Sequence, residues 1–110
     1  MPACRLTEAA DRDIADILGE TLRRFGPVQF ERYATFIERA AELVAERPDR
    51  PGSRPRTDLG EGVRAYHIEH ATSRQGAAAH MLYYVVDDEG VLILRILHER
   101  MEPAHHLPEF

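Results

Sequence analysis

The hydrophobic pattern changes its period once along the chain, after Gly62, and this change limits the possible folds more than any other feature. Before Gly62, apolar residues recur at helical spacing in two stretches, whereas after it they alternate or form short β-branched and aromatic runs. Gly26 and Pro27 separate the helical stretches, because glycine commonly ends a helix and proline suits the first turn of the next. The pattern predicts two antiparallel helices followed by a sheet.

Each predicted helix carries one apolar stripe. The first begins after Thr7, a suitable N-cap, and has acidic residues in its first turns, where the helix dipole favours them. The second continues without a breaking residue until Pro48. The stripes are Ala10, Ile14, Ile17, Leu18, Leu22 and Phe25 in the first helix, and Phe30, Tyr33, Ile37, Ala40, Ala41 and Val44 in the second.

Three strands are predicted after Gly62, at residues 63–70, 80–86 and 91–97. The turn residues at 87–90 join the last two as an antiparallel hairpin, and residues 71–79 form a long hairpin loop. A short opening strand at residues 3–6 is also possible. The chain is therefore expected to form one α+β domain over residues 1–110. In it, an N-terminal helical hairpin packs on a three- to four-stranded antiparallel sheet.

The last two strands are apolar on nearly both faces, which a sheet covered on one face by helices does not explain. An open apolar surface predicts a protein partner that covers it. Residues 48–62 are rich in proline and glycine and are predicted to be irregular. A connection of this length in a small domain is either a functional loop or a lid over the edge of the core.

The charge balance excludes simple, non-specific nucleic-acid binding. All 14 basic residues are arginine, and 19 acidic residues bring the net charge to −5, which repels a polyanion at long range. Cys4 is the only cysteine, which excludes an internal disulfide and fits a reducing cytosol. The sequence has neither a secretory apolar region nor an apolar stretch of membrane-spanning length, so we expect a cytoplasmic protein without a membrane partner.

The chemistry-bearing residues match no common enzyme motif. The histidines lack the spacing of metal ligands, since His67 and His70 would lie on opposite faces of a strand, so no metal or cofactor is predicted. Arg95 interrupts an aliphatic run, and alternation would group it with Val91, Ile93 and Leu97. Its guanidinium needs a partner, and a carboxylate such as Glu69 or Asp58 is favoured over a substrate.

An RNA-cleaving site is a second interpretation of the basic residues. His98, Arg100, Arg64 and Tyr83 could supply a base, an acid and cations for the transition state, with His70 or Tyr84 as further candidates. Whether they converge is not visible in a sequence, and the negative net charge works against capture of RNA.

Three segments together resemble the ParE branch of the RelE/ParE superfamily of toxins. They are "LTEAADRDIADILGETLRRFGPVQFERYATFI", "RPGSRPRTDLGEGVRAY" and "DDEGVLILRILHERMEPAHHL". The resemblance covers residues 5–107. Its most specific parts are the Gly26-Pro27 junction, the arginine-proline loop leading to Arg64, the tyrosine-valine strand and the closing run at residues 94–98 followed by Arg100.

The resemblance implies a bacterial type II toxin that is neutralised by an antitoxin of the ParD kind. Such an antitoxin binds operator DNA through a ribbon-helix-helix N-terminus and wraps the toxin with its C-terminal segment, so the toxin would meet DNA only indirectly. ParE-like toxins are associated with poisoning of DNA gyrase, whereas the RelE branch cuts messenger RNA on the ribosome. The absence of lysine, and of any tyrosine beyond Tyr84, favours the ParE branch.

The resemblance also yields candidate site residues. The groove between the helices and the sheet is expected to bind the antitoxin, through Leu22, Phe30, Tyr33 and Ile37. The end of the last strand is expected to contact the target, through Arg95, His98 and Arg100. A gyrase inhibitor of this kind needs no catalytic residue. The long 71–79 loop and Met101-Glu102 depart from the family pattern.

Overall fold

The computed structural model describes residues 4–107, which form a helical hairpin packed on one face of a five-stranded sheet. The α+β fold class is therefore confirmed, with a sheet that is one strand larger than the upper expectation. The helices are α1 (Glu8–Phe25) and α2 (Pro27–Glu46), and the strands are β1 (Cys4–Leu6), β2 (Arg54–Pro55), β3 (Arg64–His67), β4 (His80–Asp87) and β5 (Gly90–His98).

The helical hairpin begins and turns at the residues that the sequence indicated. The hydroxyl of Thr7 accepts a hydrogen bond from the amide of Ala10 at 3.0 Å and so caps α1. Gly26 has a φ of 85°, which favours glycine, and its N–H donates to the carbonyl of Leu22 at the end of α1. Pro27 then begins α2 directly.

The sheet has the order β1-β5-β4-β3-β2. β4 and β5 form the predicted hairpin, with Asp87 opposite Gly90 across a two-residue turn. β1 runs parallel to β5, while the other neighbours are antiparallel. The helices bury the main core against one face of this sheet, where Tyr84, Leu82 and Ile96 are almost fully enclosed.

The strand predicted at residues 63–70 is shorter than expected, because the chain leaves the sheet after His67. Ile68–Ala71 forms a 3₁₀ turn, in which the ring of His67 accepts a hydrogen bond from the amide of Glu69. Ile68 is nevertheless fully buried in the main core. The apolar side chain keeps its place although the backbone is no longer extended.

The second face of the sheet is not open, so that expectation was wrong. Ala65, Tyr83 and Leu97 are buried there beneath Leu59, Met81 and Leu107. Leu59 lies in the 48–62 segment, which was expected to be irregular but contains the short strand β2. This segment acts as a cover over the second face, and Leu107 covers it from the C-terminal tail. The apolar side chains on both faces of β4 and β5 are thus buried largely by other residues of the same chain.

Candidate functional site

An apolar groove of about 560 Å³ lies between the two helices, above β1 and β5. Its floor is formed by Ile93 and Ile96 of β5, and its walls by small and aliphatic side chains of both helices. Alanine at positions 34, 41 and 45 keeps the α2 wall low, so the groove stays open to solvent. The lining residues are Cys4, Leu6, Ile14, Leu18, Ala34, Ile37, Ala41, Ala45, Ile93 and Ile96, together with three glutamates.

These three glutamates, Glu38, Glu42 and Glu46, form an acidic rim along α2, because a spacing of four residues places them on one face of the helix. Glu42 lies 3.5 Å from the guanidinium of Arg39. Within residues 4–107, Glu38 and Glu46 have no cationic group within 4 Å. The groove thus combines an apolar floor with an acidic edge.

The apolar surface of the groove continues along α1 toward the helical hairpin junction. Helical periodicity places Leu22 and Phe25 on the same face as Ile14 and Leu18. Leu22 is 44% exposed and Phe25 is 68% exposed. Exposed apolar residues that extend a groove are typical of a surface covered by a partner.

The four residues predicted to bind the antitoxin occupy different positions. Ile37 lines the groove, and Leu22 lies on its exposed extension. Phe30 is half-buried near the hairpin junction. Tyr33 is buried on another side of α2, where its hydroxyl lies 2.6 Å from Nδ1 of His80 and accepts from the amide of Ala79.

The predicted partners of Arg95 were wrong, since its guanidinium binds Asp13 of α1. Nε and Nη2 donate to the two carboxylate oxygens at 2.7 and 2.8 Å, and Nη1 donates to the carbonyl of His106 at 2.8 Å. The amide of Ile96 donates to the same carboxylate at 3.0 Å. Asp58 instead binds Arg56, and the carboxylate of Glu69 accepts from Gly76.

A β-bulge explains why Arg95 lies away from Val91 and Ile93. Tyr84 is opposite Ile93 but Tyr83 is opposite Arg95, which leaves Leu94 without a partner in β4. The extra residue moves Arg95 to the face of Tyr83 and Leu97. Simple alternation along β5 therefore predicts correctly that Arg95 shares a face with Leu97, but wrongly that it shares one with Val91 and Ile93.

His98 belongs to a histidine cluster at the end of β4 and β5. Its ring meets the ring of His80 edge to face at 5.3 Å, and nearby Nε2 of His67 lies 2.7 Å from the carboxylate of Glu99. The hydrogen bond from His67 lowers the pKa of Glu99. Arg100 follows as an exposed residue whose amide donates to Nδ1 of His98.

The four residues of the possible nuclease site do not lie together. Arg64 is opposite Tyr84 and donates to the hydroxyl of Ser53 on the helix side of the sheet. Tyr83 lies on the other face, and His98 lies at the far end of the hairpin, opposite His80. In the part of the chain that the structure describes, no three or more histidine, cysteine or acidic side chains are placed so that they could hold one metal ion.

Comparisons with known proteins identify the family. The family model described as "ParE toxin of type II toxin-antitoxin system, parDE" matches residues 4–103. The chain belongs to the ParE toxin family of type II toxin-antitoxin systems. It is 30% identical to Toxin ParE1 of Caulobacter vibrioides over 107 residues, which cover 97% of this chain and 99% of that protein.

A solved structure has the same ParE fold. It is described as "Chromosomal ParDE TA system from P. aeruginosa" and matches with a TM-score of 0.68 at 19% identity. The match covers 89% of this chain and 96% of the other. Within residues 4–107, this ParE family member has no helix that is both long enough and apolar enough to cross a membrane.

Two features of this ParE-family structure were missed from the sequence. One is the pairing of Asp13, for which a carboxylate beside the apolar Ile14 is a weak signal of a buried partner. The other is the acidic rim, for which three glutamates spaced by four residues in one row are a visible signal.

The stability of this ParE toxin is expected to fall as pH decreases from about 6.5 to 4. Burial, followed by the charges of His98 and His67, lowers the pKa of His80 from 6.5 to about 4. Across this window the unfolded chain takes up a proton at His80 that the folded protein does not, so protons favour unfolding. After discounting for solvent screening, this amounts to about 1 kcal/mol between pH 7 and pH 5.

Urea unfolding at both pH values would measure the effect, with His80→Gln as the matched variant. Glutamine retains an acceptor for the hydroxyl of Tyr33 but does not titrate, so its free energy of unfolding should change less with pH. An equal change in both proteins would contradict the assignment to His80.

Proposed function

We propose that this toxin is neutralised by a ParD-like antitoxin whose C-terminal helix lies in the apolar groove, and that its target is DNA gyrase. The groove is the observation that supports the first part most directly. It is apolar, open and continuous with the exposed Leu22 and Phe25, as expected of a surface that a partner covers. Membership of the ParE family supports the second part.

The dimensions of the groove suit an amphipathic helix. Its apolar wall extends along α1 from Ile14 to Phe25, a span of twelve residues and about 16 Å of helix. About eleven residues of an antitoxin helix would cover this length, with three or four apolar side chains facing the floor.

The acidic rim specifies the polar side of that helix. Glu38, Glu42 and Glu46 repel one another at spacings of four residues, and Glu46 stands at the C-terminal end of α2, where the dipole disfavours acids. Arginine or lysine at matching spacing in the antitoxin would relieve this repulsion. The rim thus favours binding at the expense of the free toxin's stability.

Replacing both Glu38 and Glu46 with glutamine should weaken antitoxin binding about tenfold at low ionic strength, because each rim charge contributes a modest Coulombic attraction. The same change should raise the stability of the free toxin by about 0.5 kcal/mol, since both like-charge pairs along α2 are removed. Calorimetric titration with the antitoxin and thermal unfolding would measure the two effects.

The matched control is Glu31→Gln combined with Glu61→Gln, which changes the net charge equally at exposed positions outside the groove. An equal loss of affinity in the control would show that only net charge matters. Strong, salt-insensitive binding by both variants would exclude a role of the rim while leaving the groove as the site.

The proposed target surface is the exposed end of β5, at His98 and Arg100. Arg95 also belongs to this proposal, although its guanidinium is bound to Asp13 and His106. Its proposed role is therefore to hold the tail in position beside the exposed residues. Arg100 has no carboxylate within 4 Å among the described residues, so its guanidinium is available to a partner.

A DNA supercoiling assay with purified gyrase tests the proposed target. The toxin should inhibit supercoiling and stabilise cleaved DNA, and Arg100→Glu should lower the potency at least tenfold. Arg12→Glu, the same change at an exposed position of α1, should leave the potency unchanged. Unimpaired supercoiling without cleaved DNA would reject gyrase as the target, and new ends within translated messages after induction would instead indicate a ribonuclease.

A further inference from the structure

Two clefts lie on the side of α2 opposite the apolar groove. One is bounded by Gln29, Arg32 and the loop residue Arg74, and the other by Arg39 and Arg50. They share Thr72 and Ser73 of the 71–79 loop and therefore adjoin. On α2, helical periodicity places the residues that line these clefts about half a turn around the helix axis from those that line the groove, and so on the opposite side of the helix.

The charged side chains separate by sign across α2. Glutamates border the groove, whereas arginine is the only formally charged residue type lining the two clefts among the described residues. This separation is notable in a chain with 19 acidic and 14 basic residues. We call Arg32, Arg39, Arg50 and Arg74 the basic strip.

Three arginines of the basic strip lack an acidic partner. Within residues 4–107, Arg32, Arg50 and Arg74 have no carboxylate within 4 Å. Arg39 lies 3.5 Å from Glu42, and Arg50 donates one hydrogen bond to the carbonyl of Leu43. Most guanidinium donors of the strip therefore remain available to a ligand.

The loop wall of the strip is held in place by its own hydrogen bonds. The hydroxyl of Thr72 lies 2.9 Å from the carbonyl of Glu69 and 2.8 Å from that of Arg74. The amide of Ala77 donates to the carbonyl of Arg74, and Gly76, with a φ of 78°, donates to the carboxylate of Glu69. Ser73 and Arg74 are thus positioned against α2 before any ligand binds.

We propose that the basic strip binds an extended, carboxylate-rich segment of a protein partner. Guanidinium groups accept carboxylates in a two-pronged geometry, and the side chains of Ser73 and Gln29 can donate alongside them. Arg32 and Arg39 are seven residues apart on α2, about 10 Å along the helix. An extended peptide covers this distance in about three residues, so acids at every third position match the strip.

A peptide fits this site better than a nucleic acid does. The net charge of −5 repels a long polyanion, while a short acidic segment experiences mainly the local field of the arginines. Single-stranded nucleic acids also bind through exposed aromatic faces. Tyr66, which lines one cleft, is 2% exposed and is covered by the ring of His70.

The test is an NMR titration of the full chain with the peptide (Glu-Gly-Ser)₄ at low ionic strength. Amide shifts should change at Gln29, Ser73 and Arg74, and the changes should shrink as salt is added. The peptide (Gln-Gly-Ser)₄ should produce none. Replacing both Arg32 and Arg74 with glutamine should weaken binding of the acidic peptide at least tenfold.

The matched control combines Arg12→Gln with Arg23→Gln, since both arginines are exposed on α1. This variant should bind the acidic peptide as the unmodified chain does, apart from the small loss of affinity that a lower positive charge causes anywhere on the surface. Circular dichroism of each variant would verify folding. The proposal is overturned by an absence of shifts at millimolar peptide, or by shifts that persist when Arg32 and Arg74 are replaced. A twelve-nucleotide RNA that binds the same arginines more tightly would also overturn it.

Discussion

Replacing Asp13 with alanine is expected to lower the free energy of unfolding by about 3–4 kcal/mol, which is a large part of the ~5–15 kcal/mol that stabilises a typical domain. The side chain of Asp13 is 12% exposed and that of Arg95 is 21% exposed. Alanine would leave this guanidinium without its counter-charge and the amide of Ile96 without an acceptor.

Urea unfolding followed by circular dichroism would measure this loss. Asp16→Ala is the control, because Asp16 is exposed on the same helix, and it should change stability by less than about 0.5 kcal/mol. Asp13→Asn should fall between the two, since its amide oxygen can still accept from Ile96 but carries no charge. A stability of Asp13→Ala within about 0.5 kcal/mol of the unmodified toxin would contradict the structural role of the pair.

Replacing Ala41 with tryptophan is expected to reduce antitoxin affinity at least a hundredfold. Ala41 lines the groove and is half-buried, so an indole at this position would occupy the volume that a partner's apolar side chain needs. Loss of one well-packed anchor corresponds to about 3 kcal/mol, which is a factor of about 100 in the dissociation constant.

Surface plasmon resonance with immobilised antitoxin would measure the change. The control, Ala15→Trp, adds the same side chain at an exposed position of α1 outside the groove and should leave affinity nearly unchanged. Because the indole of Ala41→Trp would lie on apolar surface, the toxin itself should remain folded. Undiminished binding by Ala41→Trp would place the antitoxin elsewhere on the toxin.

The elements of the fold could be predicted from local sequence, because their signals are local. The Thr7 cap, the Gly26-Pro27 junction and the β4–β5 turn all determine structure within a few residues. The errors arose where the assembled fold decides the outcome. Leu59 and Leu107 reach the second sheet face from a loop and from the C-terminal tail, and no periodicity indicates such a contact.

The candidate site was predicted less completely than the fold. The groove position of Ile37 followed from the helical stripe, but the same stripe also contains Tyr33, whose hydroxyl binds His80 rather than facing the groove. The partner of Arg95 could not be predicted, because a bulge at Leu94 redirects its side chain and Asp13 is 82 positions away along the chain. Pairing over such distances depends on the assembled fold.

The junction between α1 and β5 also affects when the toxin can fold during synthesis. β1 pairs only with residues 91–93, and farther along β5 the hydroxyl of Thr7 donates to the carbonyl of Leu94 while Asp13 accepts from Ile96. The first helix therefore obtains its docking partners from a strand that lies 83 to 87 positions farther along the chain. A nascent or truncated chain that ends before β5 lacks these contacts, so we expect folded toxin to form only after β5 has left the ribosome.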